Sequence, residues 1–175
     1  MEKTSREKFW YALYTKPRSE FKAEKQLTDA GVDNYLPKIT KLKQWSDRKK
    51  KVTEPLLRGY IFIYADERER LISVEQLAIV RCIFDAGRPA RIPEWQIDNL
   101  RTLLETKSEI IVKNGIVPGA KVRISTGPFD GVIGTVISGD TGKSISVTID
   151  LLNRSVITKL PAESSVEVIR DKQSS

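Results

Sequence analysis

The chain has 175 residues, of which 39% are hydrophobic and 30% charged, and its net charge is +7; this predicts a water-soluble protein of one large or two small domains. Its apolar stretches are far shorter than the roughly 20 residues that a membrane helix needs. Its polar start lacks the pattern of a signal peptide, so we expect a cytoplasmic protein that makes no use of a membrane. The chain contains no histidine and one cysteine, Cys82, which excludes histidine-based catalytic triads, histidine-bearing zinc sites and an internal disulfide.

The first half of the chain has the pattern of a sheet with helices across one face, which is the α+β class. Strands are predicted at 9–14, 32–36, 40–45, 51–53, 57–64 and 80–84, and helices at 19–31, 67–77 and 93–104. In the strand 57–64, a period of two places Ile61 and Ile63 on one face and Tyr60 and Phe62 on the other. Helices on one face would leave Tyr60, Phe62 and Tyr14 exposed on the other, and such an apolar patch indicates a docking surface. A core that loops bury is the alternative.

Most of the positive charge lies in one segment. Residues 38–58 contain eight Lys or Arg against two Asp or Glu, a balance of +6, and Trp45 lies in the middle. A basic stretch with an aromatic residue can neutralise phosphates while the aromatic ring stacks on a base. The segment therefore predicts a nucleic-acid contact at the tip of a hairpin, through Lys43, Trp45, Arg48, Lys49, Lys50 and Lys51. A solvated hairpin tip without a partner is the alternative.

The pattern weakens into a linker from 105 to 115, and short strands follow it. They are predicted at 120–124, 132–137, 144–151, 155–160 and 166–169. Five short strands in about 55 residues predict a small barrel. Gly127, Gly131 and Gly134 would relieve tight bends, and Phe129 can fill one end of the barrel. The expected domains are therefore 7–104 and 116–170, joined by the linker 105–115.

One segment is similar to a phosphate-binding loop. Residues 139–144 read Gly-Asp-Thr-Gly-Lys-Ser, but the full pattern requires a glycine five places before Gly142, where Ile137 stands. The residues after it alternate as a strand does. We therefore predict a β-turn and no nucleotide site.

Two groups of short motifs occur in a fixed order along the chain. The first group comprises residues 10–18 (Trp-Tyr-Ala-Leu-Tyr-Thr-Lys-Pro-Arg), 35–37, 44–50 and 54–62, and the second comprises Val122, Arg123, Gly127, Pro128, Phe129, Gly131 and Gly134. The first group resembles the N-terminal (NGN) domain of the NusG/RfaH family of transcription elongation and antitermination factors. It looks most like the specialised paralogues that antiterminate polysaccharide operons. The second group resembles a KOW motif, which implies a C-terminal five-stranded SH3-like β-barrel after an NGN-type antiparallel sheet.

The resemblance implies that the first domain binds RNA polymerase across its DNA cleft, touching the β subunit and the clamp helices of the β′ subunit. The aromatic pocket for those helices would be formed by Tyr14, Leu57, Tyr60 and Phe62. Lys16, Arg18 and Lys22 would join the basic segment in contacting non-template DNA. Bridging the cleft would hold the polymerase in its processive state and suppress pausing and termination. No bond is made or broken, so we expect a monomer that is not an enzyme and needs no metal or cofactor.

The sequence departs from RfaH-like factors at positions that read DNA. Gln26 and Ala78 stand where those factors use histidine and arginine. Two other functions stay open. One is a ribosome-associated KOW protein that binds RNA. The other is a nuclease that uses Asp66, Glu67 and Glu69, although carboxylates at the start of a helix are ordinarily caps.

The second domain is expected to be a barrel at all times. In RfaH itself, the C-terminal domain folds as a helical hairpin over the polymerase site until it is released. Here glycines and β-branched residues between 127 and 149 disfavour a helix, so the aromatic patch would stay free. Such a barrel could tether a second machine, through a small-subunit ribosomal protein or another elongation factor.

Overall fold

The computed structural model describes residues 6–106 and 108–169. The chain forms two compact units that meet in sequence at Pro93 and Glu94. Lys107, in the expected linker, and Arg170, at the end of the expected KOW domain, lie outside the described residues. Within the described ranges, no helix has the length and apolar character that crossing a membrane requires.

The first unit is built on a four-stranded antiparallel sheet. Its elements are β1 (Phe9–Thr15), α1 (Glu20–Asp29), β2 (Asp33–Tyr35), β3 (Lys38–Trp45), β4 (Arg48–Pro55), β5 (Tyr60–Ala65), α2 (Glu67–Val74), β6 (Ile79–Cys82), β7 (Phe84–Asp85) and β8 (Arg88–Pro89). The sheet has the strand order β2-β5-β1-β6. The predicted strands and helices of this unit are confirmed with small shifts at their ends. The short β7–β8 pair was not predicted.

Helices α1 and α2 cover one face of this sheet. The core on that side contains Tyr11, Leu13, Ala23, Leu27, Ile61 and Ile63, with Ile72 packed against it. Ile61 and Ile63 are fully buried there, as the period-two pattern of the strand predicts. The prediction of a sheet with helices on one face is therefore confirmed for α1 and α2.

The opposite face of the sheet carries a row of aromatic side chains, which we call the aromatic face. It consists of Trp10, Tyr14, Tyr35, Tyr60, Phe62 and Tyr64. The register of β1 and β5 places Trp10 opposite Tyr64 and Tyr14 opposite Tyr60. Ring centroids lie 5.4 Å apart for the Trp10 pair and 5.6 Å apart for the Tyr14 pair, within the range of favourable aromatic contacts.

Strands β3 and β4 form a separate two-stranded hairpin. They pair from Lys38 and Pro55 at the base to Trp45 and Arg48 at the tip. Eight residues per strand give a ribbon about 26 Å long, and every residue from 40 to 51 is exposed. At the base, the Leu56 amide donates to the Pro37 carbonyl at 2.8 Å. The predicted basic hairpin tip is therefore confirmed as a structure.

The second unit is a helix and a six-stranded antiparallel sheet. Its elements are α3 (Glu94–Glu105), β9 (Ile110–Asn114), β10 (Lys121–Ile124), β11 (Ile133–Gly139), β12 (Gly142–Ile149), a 3₁₀ turn (Asp150–Leu152), β13 (Arg154–Lys159) and β14 (Val166–Val168). The strand order is β14-β10-β11-β12-β13-β9. All five predicted strands are present. Among the described residues, however, β14 and β9 remain the edges of the sheet, and the expected closure into a five-stranded barrel is not observed.

The sheet has a sixth strand, β9, that was not predicted. It lies inside the segment 105–115 that was expected to be a linker, and it pairs with β13 from Ile110 to Asn114. The Ser155 hydroxyl donates to the Gly115 carbonyl at 2.7 Å, and the Thr158 hydroxyl donates to the Glu109 carbonyl at 2.9 Å. The outer edge of β13 is therefore satisfied by β9. The pattern of this segment is weak, and its pairing with β13 shows that part of it is a strand.

Helix α3 belongs to the second unit, whereas the sequence placed it in the first domain. The buried Asn99 amide donates to the Ile133 carbonyl at 2.8 Å and accepts the Ile133 amide at 3.1 Å. Gln96 also donates to the Asp150 carboxylate at 3.1 Å. Asn99 thus satisfies both backbone groups of Ile133, as a neighbouring strand would. These contacts draw the unit boundary before α3 rather than after it.

Candidate functional site

One end of the aromatic face carries its most exposed side chain, Tyr14. Trp10 and Phe62 are buried, while Tyr14 is 40% exposed and Tyr60 is half-buried. The rings of Tyr14 and Tyr60 meet edge to face at an angle of 65°. The most exposed part of the aromatic face is therefore the Tyr14–Tyr60 end, which we call the tyrosine end, while Tyr35 and Tyr64 are half-buried.

Two of the four residues predicted to bind a polymerase lie in the interior. Phe62 is 0% exposed, and Leu57 is also buried. Tyr35 on the neighbouring strand stacks on Phe62 at 6.4 Å, and the small Ala12 stands opposite it in the register. The expectation that Phe62 is exposed is wrong, because strand alternation assigns a side chain to a face but does not show whether that face is covered. The polymerase-binding role of Phe62 and Leu57 stays a prediction.

Gly59 positions the ring of Tyr14. It has a φ of +87°, and a Cβ at this position would lie 3.3 Å from Cε2 of Tyr14. Its carbonyl accepts the Thr15 amide at 2.8 Å, and its amide donates to the buried Glu20 carboxylate at 2.9 Å. Any other residue here would strain the backbone, and its side chain would press on the tyrosine ring. The position of the Tyr14 ring therefore depends on this glycine.

A cleft of about 500 Å³ adjoins the tyrosine end. Tyr14, Phe21 and Pro55 give it apolar walls, and Arg18 and Arg58 give it positive charge. Its remaining lining residues are Thr15, Pro17, Glu20, Thr53, Glu54 and Gly59. Of the predicted nucleic-acid residues on or near α1, Arg18 lies in this cleft, whereas Lys16 and Lys22 are exposed and are not part of its lining. The arrangement suits a partner that offers both apolar and acidic groups.

The predicted nucleic-acid residues of the hairpin are all exposed, namely Lys43, Trp45, Arg48, Lys49, Lys50 and Lys51. The ammonium of Lys50 lies 5.7 Å from the centroid of the Trp45 ring. Lys43 pairs with Glu54 near the base, and this hydrogen bond lowers the pKa of the Glu54 carboxyl. The hairpin thus carries an exposed indole among exposed cations.

Gln26 and Ala78, the two positions that depart from DNA-reading factors, contact each other. The side-chain oxygen of Gln26 accepts the backbone amide of Ala78 at 2.9 Å. Ala78 is buried, and Gln26 is half-buried. A position used for DNA recognition in RfaH-like factors therefore joins α1 to the start of β6 in this chain.

Replacing Gln26 with leucine is expected to lower the free energy of unfolding by about 1–3 kcal/mol, because the buried Ala78 amide would lose its acceptor. Gln26→Glu retains an acceptor oxygen at the same place and should lose less. Urea denaturation of both variants beside the wild type is the measurement. A Gln26→Leu protein as stable as the wild type would show that the bond contributes nothing.

The first unit of the chain matches a known protein family. A family model described as "Transcription termination factor nusG" matches residues 8–101. The chain belongs to the NusG family. The match covers the aromatic face, the hairpin, both helices of the first unit and most of α3.

Solved structures with similarity to this NusG-family chain cover nearly all of its length. A structure of Thermotoga maritima NusG, described as showing domain interaction, is 21% identical with a TM-score of 0.49, and the alignment covers 86% of this chain and 93% of that one. The MjSpt4:Spt5 complex in conformation B is 17% identical with a TM-score of 0.33, covering 93% and 97%. Conformation A of the same complex is 16% identical with a TM-score of 0.29, covering 91% and 97%.

The residues of the KOW resemblance lie outside the family match, in β10, in the loop that follows it and at the start of β11. Val122 and Phe129 are buried, Arg123 and Pro128 are exposed, and Gly127 and Gly131 have φ values of +83° and +88°. Gly134 has no room for a side chain, since its Cβ would lie 3.1 Å from the Ser146 carbonyl carbon and closer still to the carbonyl oxygen. Gly127 and Gly131 therefore have the backbone expected at tight bends. Gly134 instead lies within β11, where the close approach of Ser146 and not a bend requires glycine. The expected place of the buried Phe129 at the end of a barrel stays a prediction.

Two other sequence signals in this NusG-family chain have structural roles. Asp66 accepts the Glu69 amide at 2.8 Å in a capping box at the start of α2, and this bond lowers the pKa of Asp66. Glu67 pairs with the buried Arg70 at 2.5 Å. The predicted capping is confirmed. Gly139 and Gly142 face each other across the turn from β11 to β12. The turn predicted for residues 139–144, which are similar to a phosphate-binding loop, is therefore confirmed as well.

Proposed function

We propose that this NusG-family protein is a transcription elongation and antitermination factor that binds RNA polymerase across its DNA cleft. The tyrosine end contacts the clamp helices of the β′ subunit, and the factor suppresses pausing and termination by stabilising the processive state of the polymerase. It does this by binding alone, without catalysis. The observation that carries the proposal is the contact of the exposed Tyr14 with the half-buried Tyr60 within a chain that the NusG family model matches.

The geometry of the first unit supports this proposal. An accessible aromatic pair, of which Tyr14 is exposed and Tyr60 half-buried, beside a cleft with apolar walls has the composition of an interface hot spot, in which aromatic residues and arginine dominate. Arg18 and Arg58 at the cleft offer partners to acidic groups on a helix. The basic hairpin would then lie near the non-template DNA, where Lys16 and Lys22 would add further positive charge.

The second unit would act as a KOW domain that recruits another machine, a small-subunit ribosomal protein or another elongation factor. We further propose that the protein regulates particular operons of the polysaccharide type. This part of the proposal rests only on the resemblance of the motifs at 10–18, 44–50 and 54–62. The side chain of Gln26 is bonded to the backbone of Ala78. Recognition of a particular operon would therefore not use these two positions in the way that RfaH-like factors do.

Replacing Tyr14 or Tyr60 with alanine is expected to weaken polymerase binding by about 2 kcal/mol each, or roughly 30-fold, as truncation of a central aromatic residue does. Binding of the full chain to a stalled elongation complex is the measurement. Phe84→Ala is the matched control, since Phe84 is an exposed aromatic outside the aromatic face.

Thermal melting of the same variants separates a lost contact from a lost fold. Wild-type affinity in both tyrosine variants, or an equal loss in Phe84→Ala, would contradict the proposed contact. Association of the wild type with ribosomal RNA and no association with polymerase would instead favour a ribosome-associated protein.

A further inference from the structure

The two faces of the β3–β4 hairpin have different chemistry. Directly opposed residues of an antiparallel pair share a face, so the register divides the hairpin into two sets. The tryptophan face carries Ile39, Lys41, Lys43, Trp45, Arg48, Lys50, Val52 and Glu54. The threonine face carries Lys38, Thr40, Leu42, Gln44, Lys49, Lys51, Thr53 and Pro55.

Side-chain contacts agree with this division. On the tryptophan face, Lys50 lies over Trp45 and Lys43 pairs with Glu54. On the threonine face, the hydroxyls of Thr40 and Thr53 lie 3.0 Å apart. The sequence run Arg48-Lys49-Lys50-Lys51 is therefore not one patch, because its members alternate between two opposite surfaces.

The outer part of the tryptophan face combines an aromatic ring with cations. Trp45 is 57% exposed, its cross-strand neighbour is Arg48, and the next pair toward the base is Lys43 with Lys50. The outer part of the threonine face offers Lys49 and Lys51 beside Gln44 and Leu42, and it has no aromatic ring. Only the tryptophan face can bind a phosphate and stack on a base at the same time.

We propose that the tryptophan face is a binding site for single-stranded nucleic acid, in which a base stacks on Trp45 while Arg48, Lys50 and Lys41 contact phosphates. The inference rests on the proposed function, of which it specifies the nucleic-acid site. A base that stacks on the indole displaces the ammonium group of Lys50 from the ring. The displaced ammonium then contacts a phosphate of the nucleic-acid backbone. The threonine face contributes its charge from a distance only.

A single strand fits this surface better than a duplex does. Stacking on an exposed ring requires a base that is free of its neighbours, and any base can satisfy it because every base has a π face. The site would therefore tolerate many sequences. In a duplex the bases are already stacked, so Trp45 would add little and only the charges would remain.

Two double variants test the proposal with the same change of charge. Arg48→Gln with Lys50→Gln removes two cations from the tryptophan face, and Lys49→Gln with Lys51→Gln removes two from the threonine face. The four residues are neighbours in sequence. Both variants therefore lower the net charge by two, and they do so at similar distances from the tip of the hairpin. The measurement is fluorescence anisotropy of the full chain with a labelled oligothymidylate, an oligouridylate and a DNA duplex over a range of salt concentrations.

The tryptophan-face variant is expected to lose about tenfold in affinity for the single strands and to lower the salt slope by about 1.4, the value for two phosphate contacts. The threonine-face variant should lose less than about threefold, since its cations act at a distance. Trp45→Leu should also lose about tenfold, with the salt slope unchanged, because stacking releases no counterions. Comparison of the affinities for oligothymidylate and oligouridylate shows whether the site prefers single-stranded DNA or RNA.

Equal losses in the two double variants would overturn the proposal, since charge alone would then explain binding. A duplex bound as tightly as a single strand, or a Trp45→Leu variant with wild-type affinity, would also overturn it. These outcomes are independent of the polymerase assay at the tyrosine end. A protein that binds polymerase but no oligonucleotide refutes this site and leaves the proposed function standing, whereas the converse refutes the proposed function alone.

Discussion

Replacing Phe62 with alanine is expected to lower the free energy of unfolding by about 3–5 kcal/mol, the usual cost of removing a fully buried phenylalanine. Phe62 is 0% exposed and stacks with Tyr35. The cavity left behind would lie in the middle of the sheet, where the backbone of β5 is paired on both sides and cannot collapse to fill it. Hydrogen exchange at the amides of β1 and β5, measured in the full chain, reports this loss for the first unit.

Phe21→Ala is the control for the same chemical change. Phe21 is exposed in the cleft, so its truncation should change stability by less than about 1 kcal/mol. A Phe62→Ala protein that is as stable as the wild type but fails to bind polymerase would contradict the assignment of Phe62 to the core. It would show that Phe62 belongs to the docking surface after all.

Replacing Gly134 with alanine is expected to destabilise the second unit by about 3 kcal/mol or more, at the upper end of overpacking effects. The new Cβ would lie 3.1 Å from the backbone carbonyl carbon of Ser146. It would also lie 3.0 Å from the Cδ1 atom of Ile145. Backbone atoms of a paired strand cannot rotate away as the end of a flexible side chain can. Strands β11 and β12 would therefore have to separate, and the contact of Asn99 with Ile133 would be disturbed as well.

Gly139→Ala, in the same strand, is the matched control. Its nearest neighbour would be the Gly142 carbonyl oxygen at 3.7 Å, an ordinary contact, so its stability should stay within about 1 kcal/mol of the wild type. Circular dichroism and hydrogen exchange at β11 and β12 are the measurements. Equal stability of the two variants would show that this part of the sheet is loose enough to absorb a methyl group.

The first unit was largely predictable because its elements carry strong local patterns. The alternation in β5 identifies Ile61 and Ile63 as one face, and Asp66 followed by Glu69 marks the start of α2. The charge run with Trp45 marks a hairpin, and the order of the short motifs indicates the NusG family. Each of these signals depends on residues that are close together in the chain, so the sequence by itself contains them.

The tertiary structure alone decided which of these residues a partner can reach. Nothing in the pattern of β5 distinguishes the buried Phe62 from the half-buried Tyr60, because exposure depends on Tyr35 and other residues distant in sequence. The same reason applies to β9, which is a strand only because β13 has a free edge, and to Asn99, whose partner Ile133 lies 34 residues away. Local sequence specifies an element and its faces, whereas burial and pairing are properties of two segments together.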